Sequence, residues 1–305
     1  MTKKFKVLIA DDEPDIHAVT RLSLKGVKRN GVGIEVLSAA SGKEAVDMLR
    51  ATPDIAVVLL DVVMESDTAG LDACRTIRGE LGNAFVRILL RTGQPGAAPE
   101  RQTIDEYDID GYLPKAELSS TRLYSAVRTA LKAYDELVEL DRHRKHLAAL
   151  HDCVIALRSF APLADTLDRV LRTALTICPA PLAVLHLETF EEQGNPRRFS
   201  LHVATSEDMA AAQASADAVR AAVVRAGLKL SSSEPMLLDG GFVVPLNVHR
   251  ELGHGWIYVA EPSPDARVLR MLPLLAAHAA NALYSTIAEA ILKGRQAPLF
   301  DAMSI

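Results

Sequence analysis

The feature that most constrains the fold is the alternation of short apolar runs with amphipathic segments along residues 1–133. The apolar runs are rich in β-branched residues and too short for buried helices, so they predict buried strands. They are Lys6–Ala10, Ile34–Ala39, Ile55–Leu60, Val86–Leu90 and Gly111–Pro114. Helical periodicity between successive runs predicts a five-stranded, parallel, doubly wound α/β domain.

Polar residues that can carry chemistry follow the ends of these predicted strands. They are Asp11, Asp12, Asp61, Thr92 and Lys115, with Tyr112 just before Lys115. The carboxyl ends of parallel strands lie along one edge of a sheet, and ligands bind beyond that edge. The sequence therefore predicts a cluster of three carboxylates, a hydroxyl and an ammonium group.

Such a cluster suits phosphoryl transfer. A carboxylate can act as a phosphoryl nucleophile. Mg²⁺ takes oxygen ligands, including one or two carboxylates. We expect Asp12 and Asp61 to bind Mg²⁺ directly, and Asp11 to bind it directly or through water. Taken singly, each polar residue could instead be a turn or capping residue, but their joint placement favours the phosphoryl chemistry.

Four stretches in this region resemble the receiver domain of bacterial two-component response regulators. They read VLIADDEPDI, VVLLDVVM, ILLRTGQP and GYLPKAEL. The resemblance implies a flavodoxin-like fold and phosphorylation by a histidine kinase or a phosphotransfer protein. By the same resemblance, the Mg²⁺ ligands are Asp11, Asp12 and Asp61, the phosphoacceptor is Asp61, the switch residues are Thr92 and Tyr112, and the ammonium that contacts the phosphoryl group is Lys115.

Residues 134–160 form a predicted helical linker. Leu140, Leu147 and Val154 recur every seven residues, as in a coiled-coil seam. We expect a continuous signalling helix in a parallel homodimer. The alternative is that the last helix of the first domain simply meets the first helix of the next.

Residues 161–293 form a predicted α+β domain whose strands lie between flanking helices, in an order that resembles GAF-type domains. Residues 294–305 are expected to be a mobile tail. The extended segment after Asp61 and the phrase RTGQPGAAPERQTIDEYDIDGY resemble a receiver subgroup that often precedes cyclic-di-GMP modules. No GGDEF, EAL or HD-GYP motif occurs in the chain, so we expect no output enzyme here.

Two outputs remain open for the second domain. It could act by interaction and dimerisation, or it could be a small-ligand sensor that regulates the receiver or a separate cyclic-di-GMP enzyme. Candidate ligand contacts are His249, His254 and Trp256 around a predicted loop between two strands, and His278. Isolated histidines in loops are, however, more often solvated.

Composition excludes other classes of function. A net charge of -5 and a pI near 6.0 argue against a DNA-binding surface. No apolar run is long enough for a membrane span. The three dispersed cysteines and the lack of a secretory leader predict a cytoplasmic protein.

Overall fold

The computed structural model describes residues 4–93, 100–115, 119–158, 162–189, 197–204, 209–227, 234–249 and 253–292. The predicted mobile tail lies outside these residues. The chain divides into two compact units, residues 1–142 and 143–305. Each unit has its own sheet and its own core.

The first unit contains a six-stranded sheet in the order β2-β3-β1-β4-β5-β6. Its strands are β1 (Phe5–Ala10), β2 (Lys28–Arg29), β3 (Val32–Ala39), β4 (Ile55–Asp61), β5 (Arg87–Thr92) and β6 (Gly111–Pro114). The five longer strands are parallel, and helices join them. These helices are α1 (Pro14–Ser23), α2 (Gly42–Ala51), α3 (Ala69–Arg75) and α4 (Glu100–Tyr107). This confirms the predicted flavodoxin-like arrangement.

The sixth strand corrects the prediction of five. β2 pairs antiparallel with β3 across the two-residue turn Asn30-Gly31. Both turn residues have positive φ, 51° at Asn30 and 79° at Gly31. Asn-Gly with this backbone favours a tight hairpin because its twist matches that of the flanking strands. The turn signal was therefore present in the sequence, but β2 is too short to show the alternation of apolar and polar residues that marks a strand.

The helical segment after β4 has two parts. α3 ends at Arg75, and a π-helical turn, Thr76–Glu80, continues from it. Arg78 in this turn donates to the carbonyl oxygens of Asn83 and Val86 and pairs with Asp110. The turn is therefore tied to the segments that enter β5 and β6.

The extended segment between β4 and α3 is fixed at both ends. The Glu65 carboxylate accepts hydrogen bonds from the amides of Gly42 and Lys43, at 3.0 and 3.1 Å, and so caps α2. The amide of Gly70 donates to the carbonyl of Val62 at 3.0 Å. Gly70 packs so closely here that an added Cβ would lie 2.0 Å from the Asp61 carbonyl oxygen. Glycine is thus required beside the end of β4.

A single long helix, α5 (Ser120–Ala156), follows the first sheet. It confirms the predicted long helix after the receiver fold. Leu140 and Leu147 of the proposed seam are exposed, whereas Val154 packs partly against the core of the second unit.

The second unit has a five-stranded antiparallel sheet in the order β8-β7-β11-β10-β9. Its elements are α6 (Leu163–Ile177), β7 (Leu182–Thr189), β8 (Arg197–Ala204), α7 (Met209–Ala226), β9 (Met236–Leu238), β10 (Gly241–His249), β11 (Gly253–Val259) and α8 (Val268–Leu292). This agrees with an α+β domain, whereas the GAF-like assignment stays a prediction. β9 was not predicted, because three residues are too few to show a strand period.

Helices cover both faces of the second sheet. On one face, Leu185, Val244 and Ile257 pack in a cluster with residues of α6 and α8. On the other, Val184 and Tyr258 pack with residues of α7. The histidines expected in a loop lie instead within strands, His249 at the end of β10 and His254 in β11. The strands extend further toward the connecting turn than their apolar residues do.

In the described part of the chain, none of the helices combines the length and apolar character that a membrane crossing requires.

We expect Gly70→Ala to lower the free energy of unfolding by about 1–3 kcal/mol, because the backbone must move to accept the new Cβ. Chemical denaturation would measure the change. Gly79→Ala is the matched control, since no atom lies within 4 Å of a Cβ at that position. Equal stabilities for the two variants would contradict the close packing of Gly70.

Candidate functional site

The carboxyl edge of the first sheet brings three aspartates together. Asp11 directly follows β1, and Asp61 is the last residue of β4. One carboxylate oxygen from each of Asp11, Asp12 and Asp61 lies within 4.8 Å of the others. Asp11 and Asp61 are buried, whereas Asp12 is exposed. The predicted acidic cluster is therefore present, and it opens to solvent on the side of Asp12.

Asp61 is held by two donors. The amide of Val62 donates to Asp61 Oδ1 at 3.0 Å, and Lys115 Nζ donates to Asp61 Oδ2 at 2.7 Å. Burial raises the pKa of the Asp61 carboxyl above its ordinary value, and the charge of Asp11 adds to the rise. Lys115 acts in the opposite direction without cancelling the effect of burial. Asp61 is thus a desolvated carboxylate beside a cation.

Lys115 joins three acidic groups. Besides Asp61, its Nζ lies 3.3 Å from Asp11 Oδ2 and 3.2 Å from Glu13 Oε1. Burial alone would lower the pKa of Lys115, but its hydrogen bond to Asp61 and the surrounding negative charge outweigh burial, so the pKa rises. The ammonium group therefore stays charged at the centre of the cluster.

Thr92 and Tyr112 lie on neighbouring strands. Thr92 ends β5, is buried, and is one residue beyond Arg91, which is the register partner of Asp61. The Tyr112 side chain is buried in the core cluster that contains Leu90. Thus Thr92 lies at the acidic edge, whereas Tyr112 packs beneath it.

Two residues of the site were not predicted from the sequence. Glu13 contacts Lys115, and the acidic run Asp11-Asp12-Glu13 was the signal for it. The Arg91 guanidinium is buried and donates to Thr20 Oγ1 at 3.1 Å. Burial lowers the pKa of Arg91, while Asp11 and Asp61 oppose that change. Nothing in a strand pattern distinguishes a buried arginine from a solvated one.

The cluster has the chemistry to hold a divalent cation. Asp11 Oδ2 is buried, and among the described residues it makes no hydrogen bond, although Lys115 is near. A buried carboxylate oxygen without a hydrogen-bond donor is costly. A hard cation that takes carboxylate oxygens would satisfy it, as in protein sites for Mg²⁺.

The fold and the three aspartates define a parallel α/β domain with a carboxylate cluster at the carboxyl edge of its sheet, and residues 7–128 match the family model described as the response regulator receiver domain. This part of the chain is a response regulator receiver domain, as the sequence predicted.

Two proteins similar to this region have regulatory or enzymatic names. A 3'3'-cGAMP-specific phosphodiesterase 2 from Vibrio cholerae serotype O1 is 44% identical over 142 residues, which are 47% of this chain and 27% of that protein. A probable transcriptional regulator ycf27 from Galdieria sulphuraria is 32% identical over 45% of this chain and 49% of that protein. The chain thus spans half or less of the length of either relative.

One solved receiver structure is similar to part of this chain. A response regulator receiver domain protein from Clostridium thermocellum is 24% identical and covers 44% of this chain and 98% of that one, with a TM-score of 0.37.

The expectation that this chain has no enzymatic output of its own is wrong. The similar Vibrio cholerae protein is a phosphodiesterase, which points to an enzymatic output. The similarity covers only the receiver part, so the comparison corrects the expected class of output without placing catalytic residues in the second unit. The absence of familiar output motifs was too weak a basis for the earlier expectation.

We expect Asp61→Asn to raise the free energy of unfolding near neutral pH when no divalent cation is present. The pKa of the Asp61 carboxyl in the folded chain lies above its ordinary value of 3.8, so the folded chain binds the carboxyl proton more tightly than the unfolded chain does. The free energy of unfolding therefore falls as the pH rises from 3.8 through the folded-state pKa. The neutral amide avoids this loss. The advantage of the variant should be present above the folded-state pKa and vanish below pH 3.8.

Urea unfolding in a chelator at several pH values measures this difference. Asp47→Asn is the control, because Asp47 is exposed and pairs only with Arg50 among the ion pairs of the described chain. A less stable Asp61→Asn variant at neutral pH would mean that the pair with Lys115 outweighs the burial of Asp61.

Proposed function

We propose that this protein is a phosphorelay response regulator in which Asp61 accepts a phosphoryl group from a histidine kinase or a phosphotransfer protein. The observation that carries this proposal is the 2.7 Å contact between Lys115 Nζ and Asp61 Oδ2 inside a cluster of carboxylates. The contact places a fixed positive charge beside the proposed nucleophile. The match of residues 7–128 to receiver domains supports the same reaction class.

In the proposed reaction, a carboxylate oxygen of Asp61 attacks the phosphorus of a phosphohistidine. A new oxygen–phosphorus bond forms as the nitrogen–phosphorus bond breaks, and the imidazole leaves with the bonding electron pair and takes up a proton. Lys115 offsets the negative charge of the transferring group, which is the main task in phosphoryl transfer. The hydrogen bond from the Val62 amide keeps the Asp61 side chain oriented.

Asp11, Asp12 and Asp61 are the residues that would hold Mg²⁺, and the ion supplies positive charge to the phosphoryl oxygens. Asp11 Oδ2, which makes no hydrogen bond among the described residues, and the exposed Asp12 support this assignment, since they offer one buried and one accessible ligand. Lys115 would then keep its contact with Asp61 while Glu13 neutralises its outer side.

Thr92 and Tyr112 are the proposed switch residues. Phosphorylation adds roughly one and a half to two negative charges at the edge of the sheet. The Thr92 hydroxyl is placed one residue past the register partner of Asp61, so it is suited to hydrogen-bond the phosphoryl group. We propose that Thr92 moves when it forms this hydrogen bond. The movement would change the packing of Tyr112, which lies in the core cluster of the first unit.

We propose that the chain consists of a receiver at residues 1–133, a helical linker at 134–160 and a GAF-like regulatory domain at 161–293. The linker would transmit the effect of phosphorylation from the receiver to the GAF-like domain. The continuous helix Ser120–Ala156 supports the linker. Its exposed Leu140 and Leu147 support a homodimer through that helix. The similarity to the Vibrio cholerae phosphodiesterase supports an output coupled to turnover of a cyclic dinucleotide.

We expect acetyl phosphate with Mg²⁺ to phosphorylate the wild-type chain, and Asp61→Asn to abolish the modification, because the amide cannot act as the nucleophile. Intact-mass spectrometry measures the added phosphoryl group. Asp47→Asn should be phosphorylated like the wild type. Undiminished phosphorylation of Asp61→Asn would overturn Asp61 as the acceptor.

We expect Mg²⁺ to raise the unfolding temperature of the wild type, since a cation that binds only the folded state stabilises it. Asp11→Asn should lose most of this shift because it removes a charged ligand. Thermal unfolding with increasing Mg²⁺ measures the effect. A full shift in Asp11→Asn, matching that in Asp47→Asn, would contradict the proposed ligands.

The proposed homodimer and output have separate tests. Light scattering with beryllofluoride and Mg²⁺ should show a larger assembly for the wild type than for Asp61→Asn.

For the output, cellular cyclic-dinucleotide levels should differ between cells that carry the wild type and cells that carry Asp61→Asn. Equal levels would overturn the proposed output while leaving the receiver chemistry intact.

A further inference from the structure

A cavity of about 900 Å³ lies between the second sheet and α7, within the second unit. Its walls come from β7, β8, β11 and α7. Pockets for small ligands usually measure about 300–1,000 Å³, so the cavity is large enough for a ligand of nucleotide size.

Strand register sets the sheet wall of this cavity. Side chains that alternate along a strand share a face, and paired strands align such side chains across the sheet. The two resulting rows are Ser200–His186–Trp256 and Arg198–Glu188–His254. Farther along the same face, Leu182 and Val184 pack in an apolar cluster with α7 residues. A largely polar wall therefore replaces the apolar core at one end of a helix-covered face.

Two rings form the base of the polar wall. His186 and Trp256 are stacked, with ring centroids 5.3 Å apart and an interplanar angle of 29°. His186 Nδ1 is buried, and within the described ranges no group hydrogen-bonds to it. Burial lowers the pKa of His186, which favours the neutral imidazole. A buried ring nitrogen without a partner needs a polar group from a ligand or water.

Among the described residues, the charged side chains that line the cavity are mainly cationic. They are Arg198, Arg220 and Arg225, together with the carboxylate of Glu188, which pairs with Arg198 at 3.2 Å. Arg220 Nη1 donates to Ser200 Oγ at 2.7 Å, and the guanidinium also pairs with Asp217. Arg220 is thus held in place between α7 and β8. Fixed guanidinium groups recognise phosphate and carboxylate well.

We propose that this cavity binds a nucleotide-sized anion with a planar aromatic ring. The ring contacts the His186–Trp256 pair, and the anionic group lies toward Arg220 and Arg225. This site is independent of phosphoryl transfer at Asp61. It also gives a specific place and ligand chemistry to a sensor function of the second unit.

Trp256 provides a direct readout, because it is the chain's only tryptophan and is 3% exposed in the cavity wall. The probes are the nucleoside monophosphates AMP, GMP, CMP and UMP, added to the full chain. The nucleoside of each responding monophosphate and inorganic phosphate test the ring and the anion separately. We expect saturable quenching of tryptophan fluorescence by at least one monophosphate, and at least tenfold weaker binding of its nucleoside and of phosphate.

Variants test the placement of the anion. Arg220→Gln and Arg225→Gln should each weaken monophosphate binding about tenfold or more, because each removes a charged hydrogen-bond donor. Arg172→Gln is the control, since Arg172 lies in an exposed pair with Asp168 on α6. Arg225→Gln keeps the test informative if loss of Arg220 disturbs folding, which circular dichroism would reveal.

Three results would overturn the site. They are the absence of any saturable response to the monophosphates, equal binding of a responding monophosphate and its nucleoside, and unchanged affinity in both cavity variants. None of these results would affect phosphorylation of Asp61, so the two proposals fail separately.

Discussion

The stability and chemistry of the first unit depend on how the negative charge of the buried aspartates at the end of its sheet is compensated. Asp11 and Asp61 are both buried, and the energetic cost of ionised carboxylates out of water is large. Lys115 compensates from the end of β6, and Arg91 does so from within β5. The compensation is incomplete, because the pKa of Asp61 remains raised and Asp11 Oδ2 lacks a hydrogen bond among the described residues. A site left with unbalanced charge is suited to bind a cation and then a phosphoryl group.

The backbone around Asp61 is also tightly constrained. Gly70 lies against the carbonyl of Asp61, and Glu65 ties the preceding loop to α2. These contacts limit the positions that the end of β4 can take. Precise placement of the carboxylate therefore comes from backbone packing as well as from Lys115.

Much of the first unit could be predicted because its signals are local and repeated. Each long strand is an apolar run, and each of Asp11, Asp61 and Lys115 lies within a residue of a strand end. Parallel topology then brings them together without further information. The missed features depend on the tertiary structure. Arg91 looks like any strand arginine until its burial is known, and β2 is too short for a period.

The second unit was predicted mainly as secondary-structure elements, although two of the candidate ligand contacts, His254 and Trp256, line its cavity. The strand residues His186 and Glu188 share a cavity wall only because β7 pairs with both β8 and β11, and that register is not evident in the sequence. His254 was expected in a loop, whereas strand pairing places it opposite Glu188. Non-local pairing thus created the arrangement that local patterns could not reveal.

The position of the chain's single tryptophan has a thermodynamic consequence. Trp256 belongs to the second unit, so its fluorescence follows the unfolding of that unit, whereas circular dichroism follows the helices of both. The aspartates Asp11, Asp12 and Asp61 belong to the first unit. Any change that a ligand at these aspartates causes in the fluorescence midpoint is therefore a coupling free energy between the two units, measurable without a label.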